Sequence, residues 1–188
     1  MALWSGLGYY SRARNLHRCA QIIMVEYGGE FPRTREALES LPGIGRSTAG
    51  AIAAFAYEER SPILDTNVKR VLSRFHGIEG DLQDQKTIKE LWLKAEAQLP
   101  SVTAKMPIYT QALMDFGATW CTPKHAKCLE VKAQCPMTRH CTAYQTKRVN
   151  EIPAKKKKSA SPSFQTSIFL IQYGEFILLE RRAPKAIW

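Results

Sequence analysis

Apolar residues recur with helical spacing over most of the first 120 residues. Between Tyr10 and Tyr27 they occupy positions 16, 19, 20, 23 and 24, the spacing of a helix that packs on one side. Gly28 and Gly29 should end this helix. Similar patterns predict further helices over 34–41, 67–75, 86–99 and 104–116. Small and apolar residues after position 45 predict one more helix, which ends at Tyr57. The sequence therefore predicts a mainly α domain over residues 1–148.

The pattern changes after residue 148. Residues 149–163 contain prolines, serines and a run of lysines at 155–158, which is typical of an exposed interdomain linker. Residues 164–172 and 175–180 alternate or run apolar around Tyr173-Gly174, which indicates a β-hairpin. An isolated hairpin is marginally stable in water. We therefore expect a second, β-containing domain to begin at residue 164 and to be incomplete at Trp188.

Charge indicates a polyanionic partner. The 188 residues include 27 Lys and Arg against 17 Asp and Glu, a formal net charge of +10. Nucleic acid is the simplest partner for such a chain. No apolar run approaches the roughly 20 residues that span a bilayer, and the first residues carry no signal-peptide pattern. We expect a cytoplasmic protein that does not bind membranes.

Four of the five cysteines fall within 21 residues. Cys19 lies apart, inside the first predicted helix, and is expected to be a small buried hydrophobe. The others are spaced C-x6-C-x6-C-x5-C, unlike the C-x2-C pairs of zinc ribbons. Long loops between thiolates favour an iron–sulfur cluster, with zinc or no metal as alternatives. The four candidate ligands are Cys121, Cys128, Cys135 and Cys141.

A helix, the turn Pro42-Gly43-Ile44-Gly45 and a second helix form a helix–hairpin–helix pattern. The two glycines should allow a tight turn with positive φ. The second helix begins with unpaired N–H groups at the positive end of its dipole. Such a turn binds a DNA phosphate without reading a base, and Arg46 and Lys69 add positive charge nearby. An ordinary helical turn is the alternative interpretation.

Asp65 lies in the motif Ile63-Leu64-Asp65-Thr66-Asn67-Val68-Lys69-Arg70, where a loop meets a helix. Taken alone, an aspartate at this junction is most simply an N-cap. A carboxylate beside a DNA-binding hairpin can also stabilise the positive charge that develops on deoxyribose when an N-glycosidic bond breaks. Both roles can coexist.

These motifs resemble a known family. The segments L-P-G-I-G-R-S-T-A-G-A-I at 41–52 and I-L-D-T-N-V-K-R-V-L at 63–72 resemble the helix–hairpin–helix DNA glycosylases of the endonuclease III superfamily. The segment W-S-G-L-G-Y-Y-S-R-A-R-N at 4–15 narrows the resemblance to the adenine-specific DNA glycosylases. The resemblance implies base-excision repair, with hydrolysis of the N-glycosidic bond of adenine mispaired with guanine or 8-oxoguanine in double-stranded DNA.

The resemblance also implies residue roles. Asp65 would stabilise the transition state with support from Asn67. Tyr9 would wedge into the base stack beside the oxidised guanine, although packing in the core is the simpler interpretation of a tyrosine. Ser47 occupies the position at which bifunctional members carry a lysine, which implies a monofunctional hydrolase. The hairpin residues that would bind DNA are Pro42, Gly43, Ile44, Gly45, Arg46 and Ser47, together with Lys69.

The cysteine loop and the second domain follow the same resemblance. The four cysteines would hold a 4Fe–4S cluster, and Lys124, His125 and Lys127 would face DNA phosphates. Residues 164–188 would begin a Nudix-like α+β domain that recognises 8-oxoguanine. We expect a monomer, associated with the nucleoid in a bacterial cytoplasm.

The chain departs from the family pattern in three ways. The family's catalytic glutamate lies upstream of the W-x-G-L-G-Y-Y segment and is absent here, as are the first helices of the glycosylase domain. The Nudix-like domain stops after its first hairpin. The second and third cysteines are six residues apart rather than two, an apparent insertion within 129–134. We therefore expect the 188-residue chain alone to be inactive, since general acid catalysis contributes roughly 10²–10⁴-fold.

Two other functions stay open on the sequence. One is a bifunctional glycosylase/lyase of the endonuclease III type, which Ser47 argues against. The other is a non-catalytic helix–hairpin–helix module with a structural metal, which Asp65 in its full motif argues against.

Overall fold

The computed structural model of the chain describes residues 2–130, 135–154, 163–165 and 167–179. The chain divides into two compact units, residues 1–156 and 157–188. The first unit is helical: its α-helices are α1 Tyr10–Glu26, α2 Arg35–Glu39, α3 Arg46–Tyr57, α4 Thr66–His76, α5 Gln85–Ala97, α6 Met106–Thr119 and α7 Thr142–Gln145. Short 3-10 turns occur at Ala2–Trp4, Thr103–Lys105 and Lys127–Leu129. No helix in the described ranges is long and apolar enough to cross a membrane.

Capping residues explain where the helices begin and end. The side chains of Thr34, Asp65 and Asp84 accept hydrogen bonds from the third residue of α2, α4 and α5 respectively. Gly77 ends α4 with a positive φ of 71°. The six helices predicted from hydrophobic periodicity are all present, with boundaries that differ by at most three residues. The prediction of a mainly α fold is confirmed.

Two apolar clusters hold the first unit together. One joins α1, α2 and α3 and includes Cys19, which is buried as predicted for a small hydrophobe. The other joins α4 and α5 with Ile63 and Leu64, which precede α4, and residues of α6 pack against it. Helix α4 has buried residues on several sides, because it contacts α5, α6 and α7.

Two apolar residues of segment 149–154 are buried, whereas residues 150, 151 and 154 are exposed. Val149 and Ile152 are almost fully buried in a third cluster with Ala126 and Ala143. The amide of Ala154 donates to the carbonyl oxygen of Glu79 at 3.2 Å. Ile152 is thus an exception to the predicted exposure of this segment. Residues 155–162 of the predicted linker lie outside the described residues.

The second unit contains the predicted β-hairpin. Strand β1, Gln172–Tyr173, pairs antiparallel with β2, Phe176–Ile177, with Gln172 opposite Ile177 and Tyr173 opposite Phe176. The two-residue turn is Gly174-Glu175, one residue later than predicted, and Gly174 has a φ of 58°. The apolar side chains at 168–171 and 176–179 are exposed within this short hairpin. Residues 180–188 lie outside the described residues.

Candidate nucleic-acid interface and metal centre

The hairpin between α2 and α3 uses its two glycines differently. The amide of Ile44 donates to the carbonyl oxygen of Leu41 at 3.1 Å and closes the turn. Gly43 has a φ of 82°, whereas Gly45 has a φ of −91° and precedes α3 as its N-cap. The prediction of positive φ is therefore confirmed for Gly43 and wrong for Gly45. A Cβ on Gly45 would meet no atom within 4 Å, so the fold does not require a glycine there.

Helix α1 packs closely against this turn. A Cβ on Gly43 would lie 2.9 Å from the Cβ of Asn15, closer than real Cβ atoms approach. One groove of about 470 Å³ is lined by the start of α1 and by Pro42, Gly43 and Ile44. Tyr9 lies at the α1 end of the same groove. The fold therefore places Tyr9 beside the hairpin, although 33 residues separate Tyr9 from Pro42.

Tyr9 is held outward by its backbone. It precedes α1 with a left-handed φ of 46°, and 78% of its surface is exposed. The guanidinium carbon of Arg12 lies 5.4 Å from the centre of the Tyr9 ring. The interpretation of Tyr9 as a core residue is therefore wrong.

Asp65 is an N-cap, and it is tied to the hairpin helix through its neighbour. Its Oδ1 accepts a hydrogen bond from the amide of Val68 at 2.8 Å, and the residue is exposed. The amide of Leu64 donates to the hydroxyl of Ser47 at 2.9 Å. Ser47 is the second residue of α3, so one hydrogen bond connects the first turn of the hairpin helix to the residue before Asp65.

Asn67 belongs to a polar chain that runs toward the cysteines. Arg70, one turn later on α4, donates from Nη2 to Oδ1 of Asn67 at 3.0 Å and to the carbonyl oxygen of Gly117 at 2.6 Å. Its Nε donates to the carbonyl oxygen of Cys121 at 2.7 Å. Burial lowers the pKa of Arg70, but a guanidinium starts so high that it stays charged at neutral pH. Arg70 thus joins the Asp65 motif to the start of the cysteine loop.

The four clustered cysteines line one cavity. Cys121, Cys128, Cys135 and Cys141 share its wall with Arg74 and with aromatic residues of α4 and α6, and none forms a disulfide. Burial first, and then the other three cysteines, raise the pKa of the Cys128 thiol to about 11. Residues 131–134, most of the apparent insertion, lie outside the described residues.

The donor set of this cavity is four thiols, which suit either zinc or an iron–sulfur cluster once they are deprotonated. Among the described residues, no three His, Cys, Asp or Glu side chains are grouped closely enough to bind one metal ion. One zinc ion with four thiolates would bring the sulfurs within roughly 4 Å of one another, given Zn–S bonds of about 2.3 Å. A cubane cluster keeps the sulfurs farther apart, because several metal atoms lie between them. The raised thiol pKa means that any metal must displace protons on binding.

The remaining predicted DNA-binding residues lie at separate places. Arg46 is exposed at the start of α3, and its guanidinium carbon lies 3.9 Å from the centre of the Trp92 ring of α5. Lys69 donates to the carbonyl oxygen of Leu82 at 3.4 Å. Lys127 lies 5.0 Å from the ring of Trp120. Lys124 and His125 are exposed in the cysteine loop, and no described contact joins them to the hairpin.

Comparison with known proteins settles the family. The sequence model for the HhH-GPD superfamily base excision DNA repair proteins matches residues 1–97, about half of the chain. The chain belongs to this superfamily. The match covers α1 to α5, and therefore contains both the hairpin and Asp65.

Curated relatives of this HhH-GPD chain carry one name. It is 39% identical over all its 188 residues to an adenine DNA glycosylase of Buchnera aphidicola subsp. Schizaphis graminum, and covers 52% of that protein. It is 40% identical over 164 residues to the adenine DNA glycosylase of Homo sapiens, covering 87% of the chain and 29% of the human protein. The chain thus spans about half the length of the bacterial relatives it matches.

Solved structures support the same fold. A thermostable thymine-DNA glycosylase aligns with a TM-score of 0.60 and 32% identity, over 71% of this HhH-GPD chain and 58% of that one. An endonuclease III in a non-covalent complex with DNA aligns with a TM-score of 0.57 and 26% identity, over 76% of the chain and 61% of that one.

The sequence analysis did not predict that this HhH-GPD chain buries two arginines. Arg70 and Arg74 lie on α4 three and seven residues after Asn67, so all three share one face of the helix. Both arginines are almost fully buried. The available signal was this i, i+3, i+7 spacing of polar residues on a helix that otherwise buries valine and leucine. Trp92 carried no signal beyond its place in the α5 pattern.

Proposed function

We propose that this protein is an adenine DNA glycosylase of base-excision repair, acting on adenine opposite guanine or 8-oxoguanine in double-stranded DNA. One observation carries the proposal: an exposed carboxylate, Asp65, follows a residue that is hydrogen-bonded to the first turn of the hairpin helix. The curated relatives named adenine DNA glycosylase, at about 40% identity, give the reaction its substrate.

The residues suggest how the reaction proceeds. The hairpin binds backbone phosphate, and Tyr9 fills the base stack when adenine leaves the duplex. As the bond between C1′ of deoxyribose and the base nitrogen breaks, adenine takes the bonding electrons and the sugar becomes cationic. Asp65 stabilises that cation, because one carboxylate oxygen stays bound to the Val68 amide while the side chain remains exposed. Water then adds to C1′ and loses a proton.

The proton that adenine needs must come from an acid outside these residues. The family resemblance places that acid on a glutamate upstream of the Tyr9 segment. Asn67 supports the site from the side, because its amide oxygen is held by the buried Arg70.

Ser47 supports hydrolysis over lyase chemistry. A bifunctional enzyme needs an amine at this position to form a Schiff base with the sugar. The Ser47 hydroxyl instead accepts the Leu64 amide. Borohydride should therefore trap no covalent complex with DNA. A trapped adduct would favour the endonuclease III-type alternative.

We also propose that the cysteine loop, residues 121–141, holds a 4Fe–4S cluster on the thiolates of Cys121, Cys128, Cys135 and Cys141. The cavity that the four cysteines share supports this choice, and the long loops between them favour a cluster over zinc. When bound, the cluster organises the loop that carries Lys124, His125 and Lys127 toward DNA. The test is metal content: iron with inorganic sulfide and visible charge-transfer absorbance supports the cluster, and a colourless zinc protein contradicts it.

We also propose the domain limits of the chain and its location in the cell. Residues 1–148 form the glycosylase domain, 149–163 the basic connection, and 164–188 the start of a Nudix-like domain that recognises 8-oxoguanine. The protein works as a monomer in a bacterial cytoplasm, associated with the nucleoid.

One variant distinguishes the proposed enzyme from a non-catalytic DNA-binding module. Because the chain spans about half of its bacterial relatives, the protein for this assay is the chain joined to the N-terminal segment of the Buchnera aphidicola relative. We expect Asp65→Asn to abolish adenine release while binding to a duplex with an A:8-oxoguanine mispair persists. Equal adenine release by both proteins would contradict the role of Asp65.

A further inference from the structure

Arg74 is a buried cation without an acidic partner. Only 4% of its surface is exposed, in the middle of the first unit. None of the ion pairs among the described residues includes it. Burying a charge without a counter-charge is unfavourable, and such residues are normally paired or bound to a metal centre. The environment of Arg74 should therefore supply a compensating negative charge.

Backbone carbonyl groups supply part of that compensation. The Nε of Arg74 donates to the carbonyl oxygen of Ile152 at 3.0 Å. Its Nη1 donates to Thr122 at 2.8 Å and its Nη2 to Pro123 at 3.3 Å, again at carbonyl oxygens. These bonds hold the guanidinium in one orientation, but a carbonyl dipole is not a full negative charge.

The remaining contact is to sulfur. Nη1 of Arg74 lies 3.4 Å from Sγ of Cys121, and Arg74 lines the same cavity as all four cysteines. The thiol of Cys141 in turn donates to the Arg74 carbonyl oxygen at 3.4 Å. Arg70, one turn earlier, is equally buried but donates to oxygen atoms, including the Cys121 carbonyl. Arg74 is thus the guanidinium directed at the sulfur atoms.

Electrostatics point the same way. A cluster bound by four thiolates carries a net negative charge, since the thiolates outweigh the positive charge of its core. Such a centre would supply the counter-charge that Arg74 lacks among the described ion pairs.

We propose that Arg74 is the internal counter-charge of the cysteine-bound cluster, and that its hydrogen bond to Cys121 Sγ helps to set both the retention and the reduction potential of the cluster. This inference rests on the proposed 4Fe–4S cofactor. Removing the cation makes an added electron less favourable, so the reduction potential falls. Hydrogen-bonding partners of metal ligands typically contribute about 10- to 100-fold to metal affinity.

The test compares Arg74→Gln, Arg74→Lys and the full chain, all purified with iron present. In competition with a chelator, Arg74→Gln should retain iron with an affinity about 10- to 100-fold lower than the unaltered chain, and its reduction potential should be lower. Arg74→Lys retains the charge without the planar fork, so its values should lie between the two. Arg139→Gln is the matched control, because it makes the same substitution at an exposed position in the same loop; its iron affinity and reduction potential should match those of the unaltered chain.

Several results would overturn the inference. Arg74→Gln could keep iron with the original affinity and potential. It could also destabilise the metal-free and iron-loaded proteins equally with an unchanged potential, which would make Arg74 only a structural link between α4 and residues 122–152. If Arg74→Gln does not fold, Arg74→Lys decides, since an unaltered potential in that variant contradicts the sulfur hydrogen bond. An unaltered chain without iron would instead refute the proposed cofactor itself.

Discussion

The two glycines of the hairpin offer a matched test of the turn. Gly43→Ser places a Cβ at a φ of 82°, which costs a non-glycine residue about 1–2 kcal/mol. The same Cβ would lie 2.9 Å from the Cβ of Asn15, so α1 must shift, at a further cost of about 1 kcal/mol. We expect Gly43→Ser to lower the free energy of unfolding by about 2–3 kcal/mol.

Gly45→Ser is the control, because it makes the same substitution two residues later. Its φ of −91° suits any residue, and a Cβ there meets nothing within 4 Å. Serine is also a better N-cap than glycine, by a few tenths of a kcal/mol. The variant should therefore be as stable as the unaltered chain or slightly more stable.

Urea unfolding followed by far-ultraviolet circular dichroism measures both variants, with equal m-values required for the comparison. Adding Asn15→Ala to Gly43→Ser should restore little stability, because alanine keeps the Cβ that collides. Equal losses for Gly43→Ser and Gly45→Ser, or no loss for Gly43→Ser, would refute the turn geometry described here.

Three further predictions concern single side chains. Ser47→Ala leaves the Leu64 amide without its acceptor and should cost about 1–2 kcal/mol in urea unfolding; a change below about 0.3 kcal/mol would contradict this. Arg46→Ala should weaken duplex binding equally for paired and mispaired DNA and reduce the salt slope by about one, whereas a loss confined to mispaired DNA would point to a base contact instead. Burial, with Lys94 nearby, lowers the pKa of His76, so the unfolded chain takes up the proton more readily. The free energy of unfolding should be highest above about pH 6.5 and fall below it. Urea unfolding on both sides of that pH should show a weaker pH dependence for His76→Gln, and an unchanged dependence would contradict this role of His76.

Hydrophobic periodicity was sufficient for the helices and insufficient for the polar interior. Helix α1 was predicted over 10–27 and spans 10–26, because a long apolar stripe specifies both the helix and its buried side. The four-residue α7 was missed, since one turn is too short to show a period. Ile152 was placed in an exposed segment because its neighbours are prolines and lysines, yet it packs with Val149 against the cysteine loop.

Site features that depend on neighbouring residues could be predicted from the sequence, whereas contacts between residues far apart in the chain could not. Asp65 as an N-cap follows from the residue type at a loop–helix junction, and the structure confirms it. The two hairpin glycines are identical letters, so the sequence could not assign positive φ to Gly43 alone. Arg70 and Arg74 reach carbonyl groups 47 to 78 residues away, which no local pattern reveals.

The most direct test of the proposed function is single-turnover release of adenine from a duplex with one A:8-oxoguanine mispair. The protein is the chain joined to the N-terminal segment of its Buchnera aphidicola relative, compared with its Asp65→Asn variant and with the 188-residue chain alone. We predict adenine release by the joined protein and none by the other two. Release that survives Asp65→Asn, or a joined protein that binds the duplex and leaves adenine in place, would contradict the proposal.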